Sequence, residues 1–195
     1  MTMLTFDPAT HTYCWDGQPV PSVTRILEPV IDYSRVPPEV LERKRQIGEA
    51  VHQAIALDLA HDLDEESVVE PWAPYFLAWR RFLAESGFEP HLFEHRLYHP
   101  KYGYAGTLDL WGRLKGKYVL IDTKNTSELH PATALQTAAY AEALQAQDGL
   151  GTDCRYALHL KPDGTYELHP FKERTDFNVF LSLLSLFNWK RRHNL

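Results

Sequence analysis

The sequence predicts a layered α/β or α+β domain in which a mixed β-sheet is flanked by helices. Two observations predict the layers: segments with helical apolar spacing precede a block of strand-like segments over about 91–124, and a further helix, strand pair and helix follow it. A third predicts one unit: the chain carries no internal repeat, low-complexity tract or Gly/Ser linker, and its 195 residues suit a single core. We divide that unit, 1–195, into an N-terminal hairpin and short helix (1–36), a core (37–147) and C-terminal strands with a helix (148–195).

Residues 4–20 read as a hairpin, with Tyr13 and Trp15 in a strand and Asp16-Gly17 as the turn. Pro37-Pro38 opens a helix to about 59, whose apolar positions Val40, Ile47, Val51 and Ile55 recur at helical spacing. The next helix spans 74–86 and stops at Gly87, with Phe76, Trp79 and Phe82 facing the core. Strands follow over 91–98, 104–114 and 118–124, split by Pro100, Gly103 and Lys115-Gly116-Lys117, and three in a row suggest a meander. Pro131 opens a helix over 131–147, and strands over 154–160 and 165–170 flank the turn Pro162-Asp163-Gly164. Asp176 reads as the N-cap of the last helix, whose stripe is Phe177, Phe180, Leu184 and Phe187.

Composition excludes several classes. No apolar run approaches the ~20 residues of a membrane span, and the first residues lack a basic and an apolar leader region, so a cytoplasmic location is expected. Two cysteines, Cys14 and Cys154, are too few for a disulfide framework, a four-cysteine zinc site or a cysteine-held iron–sulfur cluster. Both are expected to be plain buried thiols. A net charge of −6 speaks against passive, avid nucleic-acid binding, but not against a site that gathers carboxylates around a metal. Basic clusters at Arg43, Lys44 and Arg45, at Arg80 and Arg81, and at Lys190, Arg191 and Arg192 read first as solvated helix faces or helix C-termini and second as phosphate contacts.

The chemistry lies in the meander. If Lys115-Gly116 is a two-residue loop, Leu114 faces Lys117, and counting back sets Asp109 opposite Asp122 with Cβ atoms about 4.5–5.5 Å apart. Strand alternation puts Lys124 on the face of Asp122. Opposed like charges destabilise a sheet unless something sits between them, and a hard divalent cation such as Mg²⁺ or Mn²⁺ prefers such oxygens. An amine beside the ion can orient or deprotonate water, or offset charge building on a phosphate. A surface hairpin with solvated side chains accounts for the triplet equally well. Gly48 adds weight, because glycine inside a helix costs about 1 kcal/mol against alanine and implies a close approach. His52, one turn on, is an ordinary histidine taken alone and a neutral imidazole ligand taken with the triplet. Gln136 and Tyr140 form a second i, i+4 pair on the following helix.

Together, Gly48-x-x-x-His52, Glu94, Gly106-Thr107-Leu108-Asp109, Ile121-Asp122-Thr123-Lys124 and Gln136-x-x-x-Tyr140 resemble the RecB-like branch of the PD-(D/E)XK nucleases. Pro21-Ser22-Val23-Thr24-Arg25-Ile26-Leu27 is similar to the N-terminal signature of stand-alone, phage-type exonucleases in that branch. The resemblance spans about 21–145. It implies a restriction-endonuclease-like core and a Mg²⁺- or Mn²⁺-dependent deoxyribonuclease. The activity implied is an exonuclease that processes DNA ends in recombination, repair or replication. It further implies that His52, Asp109 and Asp122 bind the metal with the carbonyl of Thr123, that Glu94 can join a second metal, that Lys124 is catalytic, and that Gln136 and Tyr140 hold the DNA backbone or the lysine. The partners it implies are DNA and a single-strand annealing or recombination protein. The chain lacks the GKS or GKT phosphate loop of the large helicase-bearing relatives and the cysteines of the iron–sulfur relatives.

Other readings compete. A structure-dependent endonuclease of the same fold, or a catalytically silent DNA-binding module, shares the motifs. His91-Leu92-Phe93-Glu94-His95 also matches H-x-x-E-H, a zinc-peptidase pattern, but only if the segment is helical. On a strand the two histidines stand about 13 Å apart, and the flanking Pro90 and Pro100 favour a strand. The sequence leaves the oligomeric state open.

Overall fold

A computed structural model describes residues 3–32, 34 and 36–195; Met1, Thr2, Tyr33 and Arg35 of the expected N-terminal segment lie outside them. The element order is β1 (Leu4–Asp7), β2 (Thr12–Trp15), β3 (Gln18–Val20), α1 (Val23–Leu27), α2 (Pro38–Leu59), α3 (Ala73–Ser86), β4 (Glu89–His99), β5 (Tyr104–Leu114), β6 (Lys117–Lys124), α4 (Ala132–Asp148), β7 (Cys154–Leu160), β8 (Tyr166–Phe171) and α5 (Asp176–Arg192), with short 3₁₀ turns between some of them. This is the mixed α+β arrangement expected from the sequence.

β4 to β8 form one sheet in chain order. Its first three strands are the expected antiparallel meander. α4 then crosses over, so that β7 lies parallel to β6 while β8 returns antiparallel to β7. Helices cover both faces. On one face α1, α4 and α5 bury Ile26, Leu27, Ala139, Leu144 and Phe180 against Leu97, Leu108, Trp111 and Leu120; on the other, α2 and α3 bury Val51, Ile55, Phe76, Trp79 and Phe82 against Leu110, Val119, Ile121 and Leu158. The aromatics of α3 are therefore core, as their spacing predicts. The stripe of α5 is core too: Phe180 and Leu184 are buried, with Phe177 and Phe187 packed beside them.

Several local expectations need correction. Residues 4–20 are not one hairpin but three strands, because Asp7 makes an additional turn by accepting the Ala9 amide at 3.0 Å and the Thr10 hydroxyl at 2.8 Å. Asp16-Gly17 is a turn as predicted, with both residues at positive φ (49° and 75°). Asp176 does not cap α5. It is the first residue of the helix, and its carboxylate accepts from Arg155 Nη2 at 2.7 Å, a charged contact stronger than a cap. Val40 lies outside the α2 core stripe, 41% exposed in the first turn. Both cysteines are free and half-buried rather than buried. No helix among the described residues is long and apolar enough to cross a membrane.

Candidate active site

β5 and β6 pair in the register the sequence predicts, from Leu114–Lys117 to Leu110–Ile121, and there the ladder stops. Asp109 and Asp122 are next in line but do not pair backbone to backbone. Instead the Asp109 side chain takes the place of the missing rung: its Oδ2 accepts the Thr123 amide at 2.7 Å and the Thr123 hydroxyl at 2.9 Å. The β4–β5 ladder breaks at the same row. His95–Leu108 and Phe93–Leu110 pair on either side, without any change in register, but Glu94 and Asp109 do not, and Glu94 has φ +46°. A glutamate in the left-handed region is strained, by roughly 1–3 kcal/mol.

The break inverts the pleat. Before Asp109, Leu108 packs under α1, α4 and α5; after it, Leu110 packs under α2 and α3, although strict alternation would put both on one face. Asp109 therefore sits at the seam between the two cores, within reach of groups from both.

His52 comes from the α2 side. Its Nδ1 lies 3.4 Å from Glu94 Oε1 and 3.7 Å from Asp109 Oδ1, and its Nε2 lies 3.2 Å from the Thr123 hydroxyl. Burial opposes the charged imidazolium, but the Asp109 and Glu94 carboxylates outweigh it and push His52 up to about 9. One ligand atom each from His52, Glu94 and Asp109 lie within 4.8 Å of one another, close enough to share one ion. Gly48, one turn before His52, faces Asn125: a Cβ there would stand 3.3 Å from the Asn125 Oδ1. The close approach expected at Gly48 exists, and the residue after Lys124 provides it.

Asp122 and Lys124 come from β6. Asp122 is 1% exposed and Lys124 Nζ stands 2.6 Å from its Oδ2. Asp122 Oδ1 is buried with no hydrogen-bond partner among the described residues. An orphaned carboxylate oxygen beside a His–Glu–Asp group is an environment a hard cation satisfies and a bare protein interior does not. Burial holds the Asp122 carboxyl above the usual carboxylate range, against the pull of the Lys124 ammonium.

No family model matches the sequence, and neither does any curated protein. Solved structures do match, two of them of LHK-Exo. One is LHK-Exo in complex with dAMP, at 14% identity and a TM-score of 0.45, covering 90% of this chain and 89% of that chain. The other is the alkaline exonuclease LHK-Exo from Laribacter hongkongensis, at 15% identity and a TM-score of 0.37, covering 89% and 92%.

α4 brings the remaining predicted pair. Gln136 Nε2 donates to the Tyr140 hydroxyl at 3.2 Å, and burial raises the Tyr140 phenol well above its ordinary value. The Tyr140 ring lies against Gly106: a Cβ on Gly106 would come within 2.5 Å of it. The glycine of Gly106-Thr107-Leu108-Asp109 is thus a packing requirement. Thr107 in turn meets the buried Tyr13 hydroxyl at 2.7 Å, a buttress from the N-terminal sheet that periodicity does not reveal. The resemblance assigns Thr123 a role through its carbonyl; its amide and hydroxyl hold the Asp109 carboxylate, and the hydroxyl also meets His52.

The H-x-x-E-H segment lies in strand β4. His91 sits in a bulge beside Trp111 and Tyr118, whereas His95 Nε2 meets Asp148 Oδ2 at 2.8 Å. Among the described residues the two histidines share no ligand group, so the peptidase reading falls. Among the basic clusters, Arg45, Arg80 and Arg81 are spent on ion pairs with Glu42, Glu49, Asp58, Glu65 and Glu85.

Proposed function

We propose that this chain is a divalent-metal-dependent nuclease of the PD-(D/E)XK type that hydrolyses DNA phosphodiester bonds. The observation that carries this reading is the buried Asp122, ion-paired with Lys124 and left with one unsatisfied oxygen, beside the converging His52, Glu94 and Asp109. These side chains, with the Thr123 carbonyl as a further ligand, would hold a Mg²⁺ or Mn²⁺ ion, which would supply Lewis acidity toward the scissile phosphate. Thr123 fixes the Asp109 carboxylate through two hydrogen bonds. His52 would serve as a ligand in its neutral form. Lys124 orients the attacking water and offsets charge on the phosphate as the bond breaks. Gln136 and Tyr140 position the DNA backbone or the lysine from α4.

The preference for DNA, and for ends, rests on the motif resemblance and on the phage-type segment Pro21 to Leu27. In that segment Ser22 caps α1 by accepting the Arg25 amide at 3.2 Å, and Val23, Ile26 and Leu27 are buried. We place the activity in recombination, repair or replication, with a single-strand annealing or recombination protein as a partner. The deciding experiment incubates end-labelled linear duplex, single strands and closed circles with Mg²⁺, Mn²⁺, Ca²⁺ or EDTA. Loss of linear DNA that EDTA stops, with circles spared, is the expected outcome. Cleavage of circles makes the enzyme an endonuclease of the same fold, and binding without cleavage under every metal sinks the enzymatic reading.

A further inference from the structure

β7 and β8 carry a second group of ligands that the reading above does not use. His159 on β7 is in register with Glu167 on β8, and His169 stands two residues along β8 from Glu167 on the same face. One ligand atom from each of the three lies within 4.8 Å of the others. All three are on paired strands, so the backbone holds their spacing without help from a loop.

We propose that His159, Glu167 and His169 form a separate site for a zinc-class divalent cation. Two imidazoles and one carboxylate are a donor set that suits a borderline-soft ion better than Mg²⁺, and three protein ligands leave a fourth position for water or an anionic oxygen. The tautomer of His159 is already set. Its Nε2 donates to the Thr126 carbonyl at 2.6 Å, which leaves Nδ1 as the lone-pair nitrogen. A ring N–H committed to a backbone carbonyl is the outer-shell arrangement found behind metal-bound histidines.

Glu167 supplies the carboxylate and is already oriented toward His169. Its Oε1 is paired with Lys161, and its Oε2 lies 2.9 Å from His169 Nε2. Oε2 and the His169 nitrogen already face each other, so one ion can replace the proton between them while Lys161 keeps the second oxygen. With bonds of about 2.0–2.1 Å, a tetrahedral ion needs ligand atoms roughly 3.4 Å apart, wider than the 2.9 Å Glu167–His169 contact and inside the 4.8 Å span of the three, an adjustment within reach of side-chain rotation. Because His159 is in register with Lys124 and holds the carbonyl of Thr126, an ion here also pins the segment that follows Lys124.

Co²⁺ is the probe, added to the full chain in excess Mg²⁺ and followed by its visible absorption. One equivalent with the intense bands of a four-coordinate ion is expected. His169→Ala and Glu167→Gln are expected to weaken that binding by at least about tenfold, while Asp109→Asn leaves it unchanged. Both altered β8 residues are at least partly exposed, and circular dichroism checks their folding. The site is refuted if the bands are absent from the unaltered chain, or if Asp109→Asn abolishes them and His169→Ala does not. Neither result touches the nuclease reading, because cleavage is not the readout.

Discussion

Replacing Lys124 with alanine removes the ammonium that stands 2.6 Å from Asp122 Oδ2. On the proposed mechanism, cleavage falls by roughly 10²–10⁴-fold, with the circular dichroism spectrum and metal titration retained; full activity in that variant rules the role out. His52 gives a pH signature. In the metal-free chain its shift adds stability that is complete below the ordinary value of 6.5 and is lost as the pH rises through about 9. A metal ion needs the neutral imidazole, so binding at pH 7.5 releases close to one proton, and affinity climbs with pH until it levels near 9. Calorimetry in two buffers of different ionisation enthalpy measures that proton, and its absence removes His52 from the ligand set. Gly106→Ala drives a methyl group into the Tyr140 ring and is expected to cost about 1–3 kcal/mol by denaturant titration. At this scale the sequence was partly legible. Gly48 announced a close approach, but not that Asn125 makes it, because the partner lies 77 residues away in the chain and only the fold brings them together.

Among the elements, turn chemistry and periodicity recovered the helices and strands of the main sheet to within a few residues. The two-residue loop at Lys115-Gly116, both at positive φ, set the β5–β6 register correctly. The inversion at Asp109 was not legible. Period-2 counting assumes an unbroken pleat, and nothing in Phe93-Glu94-His95 signals that Glu94 adopts φ +46°. The α5 cap failed for a related reason, since a local rule was overridden by a distant charge, Arg155. That pair is mostly buried, with both side chains under 15% exposed, and Arg155 also donates to the Ala134 and Glu173 carbonyls. Asp176→Ala leaves the guanidinium uncompensated and is expected to lower stability by about 3–5 kcal/mol. A melting temperature unchanged by the substitution contradicts that account of how α5 docks on β7.

For the whole molecule, a sheet covered on both faces gives two hydrophobic cores, and the candidate site occupies the seam where the sheet exchanges one for the other. Three carboxylates meet there in a chain already at −6, so metal binding relieves repulsion as well as filling ligand positions. At a hundredfold excess over its Kd, a ligand of the folded state alone adds about 2.7 kcal/mol. For a chain of this size that raises the melting temperature by roughly 5–10 °C. Differential scanning with Mn²⁺ and with EDTA measures the shift, and Asp109→Asn with Asp122→Asn should erase most of it.

The buried, half-satisfied Asp122 also makes the centre of the candidate site the place where the metal-free fold is least at ease. One carboxylate oxygen is held by Lys124 while the other, among the described residues, meets no donor, so the chain keeps at its core a polar group that burial alone disfavours.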